Sequence, residues 1–135
     1  MLRCAHLYDD LAPDGQQVLL WGTPEDLRRL GNLLRAGVTS RVEQVLGDGE
    51  TPSRVFLTVG DAPRGMILDL DRLIWEIAPS DAMTFAQLVD GVATSPYACH
   101  QYLDCEAEVG IEVKVSLGEY PDDFPARPPI PLDLR

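Results

Sequence analysis

From residue 108 to residue 117 the chain alternates without a break. Val109, Ile111, Val113, Val115 and Leu117 are interleaved with Glu108, Gly110, Glu112, Lys114 and Ser116. Successive side chains of an extended strand point to opposite faces, so this segment has one apolar and one polar side. A slip of one residue would turn all five aliphatics to water, and the register of this strand must therefore be firmly held by a sheet with one buried face.

Other segments supply the rest of that sheet. Residues 2–8 and Gln17–Trp21 have strand length and flank a turn at Pro13-Asp14-Gly15. Val55, Leu57 and Val59 alternate, and the turn Gly60–Gly65 leads into Met66–Leu70 as their expected hairpin partner. Leu73–Ile77, with Trp75, and Tyr97–Cys105 are further strands, and a short one is expected near Val42–Leu46. Two helices stand out. Thr23-Pro24-Glu25-Asp26 is a helix start, with Thr23 as cap, Pro24 at the first position and acids at the positive end. Leu27, Leu30, Leu34 and Val38 then form one stripe. Ser80 or Asp81 is expected to cap a second helix with Phe85, Leu88, Val89 and Val92 inside, and Gly91 is expected to shorten it.

The expected fold is α+β: a mostly antiparallel sheet with two helices on one face. With 135 residues, one domain over 1–120 followed by a proline-rich tail over 121–135 accounts for the chain. A duplication is also legible. Leu33–Ser40 matches Leu88–Ser95 at an offset of 55, and Val55–Val59 meets Ile111–Val115 one residue later. Each half would be strand-helix-strand-strand, with Trp21 and Trp75 near the equivalent first strands; two amphipathic patterns aligning by chance is the competing explanation. A true duplication requires pseudo-twofold symmetry, and helices on opposite faces would exclude it.

The charge narrows the choice of partner. Twenty-two acids against eleven bases leave a formal net charge of -11, which argues against nucleic acid or an anionic membrane as a direct partner. Residues 1–64 carry nine acids against seven arginines, whereas residues 65–135 carry thirteen against four bases. The densest stretch, Asp104 to Asp123, holds seven acids opposed by Lys114 alone. A solvated surface explains any charge run; an asymmetry this large also suits a face that meets a basic protein. No stretch is apolar for the ~20 residues a membrane helix needs. The acidic opening does not resemble a signal peptide, and three cysteines, an odd number, fit reduced thiols in the cytoplasm.

Catalytic and metal readings are weaker. Cys4, His6, Cys99, His100 and Cys105 lack any metal-ligand spacing, and Cys99 and His100 would point to opposite strand faces, so neither metal nor cofactor is expected. A cysteine–histidine pair could do nucleophilic chemistry, but neither Cys99 nor Cys105 sits at a helix start that would activate it. Asp69 with Asp71, or Asp122 with Asp123, could act as acid and base, though edge solubility explains them equally well. Phosphate-binding glycine patterns are absent.

The stronger candidate is a binding face. His100, Tyr102 and Asp104 share one side of their strand, and Glu106, Glu108 and Glu112 follow. Glu119, Tyr120, Asp122, Asp123 and Phe124 then form a mixed aromatic and acidic stretch. Aromatics among carboxylates suit an interface that accepts Arg and Lys; alternatively Tyr120 and Phe124 pin the tail to the core.

Three stretches, Gly22–Leu30, Val55–Gly65 and His100-Gln101-Tyr102-Leu103-Asp104, 25 of the 135 residues, resemble the small acidic immunity proteins of bacterial polymorphic toxin systems. The resemblance implies an α+β, cytoplasmic, non-enzymatic protein that blocks a cognate toxin domain, such as a nuclease or nucleic-acid deaminase with a basic cleft. The alternatives are a phage or plasmid nucleic-acid mimic that inhibits a host DNA-binding enzyme, a small Cys/His-dependent enzyme, or a homo-oligomer that pairs through an edge strand.

Overall fold

The computed structural model describes residues 2–8, 16–37, 40–42, 55–61, 63–70, 72–104, 111–121 and 124. In chain order they form β1 (Arg3–Tyr8), β2 (Gln16–Trp21), α1 (Pro24–Ala36), β3 (Ser40–Val42), β4 (Val55–Val59), β5 (Gly65–Asp69), β6 (Arg72–Ile77), α2 (Pro79–Ala93), β7 (Cys99–Tyr102) and β8 (Glu112–Leu117). The fold is α+β with mostly antiparallel pairing, as the sequence implies. The strands lie in two four-stranded sheets, however, rather than one: β1-β2-β8-β7 and β3-β4-β6-β5. The central pairs β2/β8 and β4/β6 are parallel and the outer pairs antiparallel. A bridge between Met66 and Ile111, with the Ile111 N–H donating to the Met66 carbonyl at 2.8 Å, ties the second sheet to the start of β8.

The expected hairpin of Val55–Val59 with Met66–Leu70 is corrected by this order. β6 lies between them, parallel to β4 and antiparallel to β5. Burial gives the reason. β6 contributes Leu73, Trp75 and Ile77, all fully buried, and needs neighbours on both sides, whereas β5 ends in the exposed Leu68 and Asp69 and suits an edge. The twelve residues from 60 to 71 are long enough for the crossover that a parallel pair requires.

Element order repeats as ββαββ followed by ββαββ. Each half therefore begins with one strand more than the sequence match suggests. Mapping β1, β2, β3 and β4 onto β5, β6, β7 and β8 turns the order of one sheet into the order of the other, which is the pseudo-twofold relation a duplication requires. In the helices Leu27, Leu30, Gly31 and Leu34 correspond at the offset of 55 to Ala82, Phe85, Ala86 and Val89, and all eight are buried. The ladders sharpen the strand equivalences. Val18 pairs with Val113 and Leu20 with Val115, as Leu73 pairs with Val55 and Trp75 with Leu57. Trp75 is thus the counterpart of Leu20 rather than Trp21, and Val55 that of Val113.

Both helices and the inner faces of both sheets share one core. The α1 start is locally determined: Thr23 Oγ1 accepts from the Asp26 N–H at 3.1 Å, and Asp26 Oδ2 accepts from the Thr23 N–H at 2.9 Å, a reciprocal capping box. Gly37, with φ of 64°, ends the helix in the left-handed conformation. The second helix departs from expectation at its start. Its cap is Ala78, without a side-chain hydrogen bond, because Pro79 already fixes the first helical residue; Ser80 and Asp81 lie in the first turn. It also continues through Gly91 to Ala93, since burial of Val92 and Ala93 outweighs the roughly 1 kcal/mol cost of glycine.

The helices pack against each other. A Cβ on Gly31 would stand 2.7 Å from Asp90 Oδ1, so only glycine admits this approach without a shift. Arg35 pairs with Asp90, its own counterpart at the offset of 55, and opposite charges thus meet where identical halves would place like ones. Trp75 and Phe85 stack with centroids 5.8 Å apart and anchor α2 to the second sheet. Among the described residues no helix is long and apolar enough to cross a membrane.

Because each sheet takes strands from both halves, neither half can complete a sheet alone. Fragments 1–61 and 62–135 should each lack cooperative structure and regain a native circular-dichroism spectrum and a cooperative thermal transition when mixed. An isolated fragment that melts cooperatively would contradict the interlocked topology.

Candidate partner-binding face

The first sheet has a second, outer face. The ladder places Arg3, Trp21, Ser116 and His100 in one row across it, Ala5, Leu19, Lys114 and Tyr102 in the next, and Leu7, Gln17 and Glu112 in a third. Its β1 and β2 side is apolar, and Ala5, Leu7, Leu19 and Trp21 form a small core of their own with Tyr120 and Phe124 packed on it. Its β7 and β8 side is polar and reaches solvent.

The segment after β8 joins the two sides. Gly118 has φ of 75°, a conformation available to glycine without strain, and the chain turns there so that the following residues return over the sheet. Tyr120 and Phe124 lie 6.3 and 6.0 Å from the Trp21 ring and 4.9 Å from each other. The Trp21 indole N–H donates to the Pro121 carbonyl at 3.1 Å. These two aromatics therefore pin the segment to the core. Tyr102, 38% exposed, is the candidate aromatic with the most free surface.

Around Tyr102 the polar groups are organised. His100 meets its ring edge-on at 5.5 Å. Lys114 Nζ sits 5.9 Å from the Tyr102 centroid and 5.4 Å from that of Tyr120, and donates to the Tyr120 hydroxyl at 3.0 Å. Glu119 accepts from His100 Nδ1 at 3.0 Å and from the buried Ser116 hydroxyl at 2.5 Å. Partial burial acts to raise the Glu119 pKa, but the hydrogen bonds from Ser116 and His100 and the positive charges of His100 and Lys114 hold it below the ordinary carboxylate value. Glu112 accepts from Gln17 Nε2 at 2.6 Å, fixing a carboxylate at the far end of the face.

The structure thus brings His100, Tyr102, Glu112, Glu119, Tyr120 and Phe124 to one face. Asp104 is exposed just beyond the end of β7. Glu106, Glu108, Asp122 and Asp123 lie outside the described residues, as do Cys105, Asp71 and Val109. Sequence reasoning missed Trp21, Lys114 and Ser116 as members of this face. The period-two pattern already put Lys114 and Ser116 on the polar side of β8; what was missing was the register that sets them beside Tyr102 and His100.

The other chemical candidates are separated. Cys4 and His6 face the inner side of β1, whereas His100 is on the outer face of β7 and Cys99 is on the opposite side of that strand. Burial pushes the Cys4 thiol up to about 12, far from a reactive thiolate. Burial also pushes the His6 imidazole down, against the opposing effect of its 2.9 Å hydrogen bond to Gln16 Oε1. Among the described residues no three His, Cys, Asp or Glu side chains converge as a metal site would require. Ser116 is fully buried and bonded to a carboxylate, so its hydroxyl is not presented as a nucleophile.

Replacing Glu119 by Ala removes the acceptor of a buried hydroxyl and should cost about 1–2 kcal/mol in urea unfolding at pH 7. Glu119→Gln keeps an acceptor and should cost less. Because the folded-state pKa of Glu119 lies below the unfolded value, its ionic contribution is complete above that unfolded value and is lost as pH falls through the folded one. The stability gap between wild type and Glu119→Gln should accordingly close on acidification, and a gap that persists unchanged at pH 3 would contradict the assignment.

No protein-family model, no curated protein and no solved structure was found to match this chain.

Proposed function

We propose that this chain is a cytoplasmic, non-enzymatic binding module of the immunity type, which neutralises a bacterial toxin domain by covering a basic cleft. The toxin class that suits it is a nuclease or nucleic-acid deaminase, since such enzymes hold polyanionic substrates. One observation carries the reading: the outer face of the first sheet presents an exposed tyrosine on the same face as two ordered carboxylates, Glu119 bonded to His100 and Glu112 bonded to Gln17, in a chain of net charge -11. Carboxylates at fixed positions can stand where phosphates would bind, and the long-range field of the protein steers a basic partner toward them. Tyr102 supplies a rigid aromatic anchor of low side-chain entropy. Asp104, at the end of β7, adds a further exposed carboxylate.

The test is stopped-flow association with the purified product of the adjacent gene. Steering predicts an association rate that falls about tenfold or more as salt rises from 50 to 500 mM, with a much smaller change in dissociation. Tyr102→Ala should weaken the complex at least about tenfold. Absence of a complex would overturn the reading, and a salt-insensitive association rate would remove steering from it.

A further inference from the structure

Leu70 combines two features that rarely occur together. It has a positive φ of 57°, and it is the one non-glycine residue in that conformation among the described residues. It is also 87% exposed, more than any other large apolar side chain described. Asp69 pairs with Arg72, so only residues 70 and 71 connect β5 to β6. A two-residue hairpin turn asks for Gly, Asn or Asp where φ is positive, because a Cβ crowds the backbone there. A leucine pays twice, in backbone strain and in apolar surface left in water, and with its side chain in solvent no packing among the described residues compensates.

Such an uncompensated residue is explained if its side chain is buried elsewhere. We propose that Leu70 is an anchor for the protein partner, inserting from the β5–β6 tip into an apolar pocket with a basic rim. Charge argues for that rim: Asp69, beside Leu70 at the end of β5, is exposed, and the second half of the chain carries most of the excess negative charge. Leu68, 40% exposed on the same edge strand, widens the apolar contact. Leu70 directly follows a strand held to its neighbour by five ladder pairs, so little backbone entropy is lost when it inserts. This inference rests on the binding-module reading and adds to it a second contact, on the sheet other than the one that carries Tyr102.

The experiment compares wild type, Leu70→Asn and Leu70→Met in two measurements: the thermal midpoint of the free protein, and the affinity for the purified product of the adjacent gene by calorimetry. Asparagine tolerates the left-handed conformation and is polar, so Leu70→Asn should keep or raise the midpoint, by up to about 2–5 °C, while weakening binding at least about tenfold. Leu70→Met preserves an apolar side chain and should bind within about threefold of wild type. If wild type and Leu70→Asn bind equally well, the anchor is wrong and the binding-module reading stands. If Leu70→Asn loses affinity only together with a lowered midpoint, the role is structural and the anchor is again wrong. If wild type fails to bind, the underlying reading falls and the anchor falls with it.

Discussion

The parallel pairing of β2 with β8, and its counterpart of β4 with β6, is the constraint on which the rest of the molecule depends. Each pair joins strands from different halves of the chain. Neither hairpin β1–β2 nor hairpin β7–β8 has enough buried surface to persist alone, but side by side they make a sheet with one face on the common core. The same holds for β3–β4 and β5–β6. Closing the two parallel seams forces the helices together, which explains why α1 and α2 meet at Gly31 and Asp90 rather than spreading over one broad sheet. The outer face of the first sheet inherits its stiffness from this arrangement, because its central strand β8 is held on both edges.

The two halves share a topology and divide the labour. Near the crossing, Arg35 and Asp90 occupy equivalent positions with opposite charges, a difference that favours one arrangement of the halves over a symmetric alternative. In the second half Trp75 and Phe85 stack where the first half has Leu20 and Leu30, so the bulk of the aromatic core lies on one side. After β8 the chain returns over the outer face, and Tyr120, Phe124 and Trp21 close its apolar side. The polar side is left open with Tyr102, His100 and Glu119 in a connected set of contacts. Two features, the ordered carboxylates of one sheet and a strained exposed leucine on the other, are the ones on which the proposal of a partner rests.

How much of this was legible in the sequence follows from how local each signal is. The start of the first helix was legible, because its cap, its leading proline and Leu27, Leu30 and Leu34 lie within twelve residues; its end was not, since the stripe was carried on to Val38, outside the described residues, past the Gly37 that terminates the helix. The β8 pattern was legible for the same reason, as was the placement of His100 and Tyr102 on one side of their strand. Pairing was not. The contact between Gln17 and Glu112 spans 95 residues, and nothing in either strand announces the other. The glycine-rich connection after β4 looks like a hairpin turn, and only the greater burial of β6 shows that it must be a crossover. The repeat was legible in the helices, where the offset of 55 is correct, and misjudged in the strands, where hydrophobic alternation allows shifts of two residues that only a ladder can resolve. The same limit hid Trp21, Lys114 and Ser116 from the candidate face.

Native-state hydrogen exchange followed residue by residue tests the central claim, that two interlocked sheets form one cooperative scaffold beneath the candidate face. The parallel seams require the amides of β2, β8, β4 and β6 to exchange through a single global opening with one common free energy and one common denaturant dependence. Exchange in which β4 and β6 open at clearly lower free energy than β2 and β8, or the reverse, would show that the sheets unfold independently and would contradict the account.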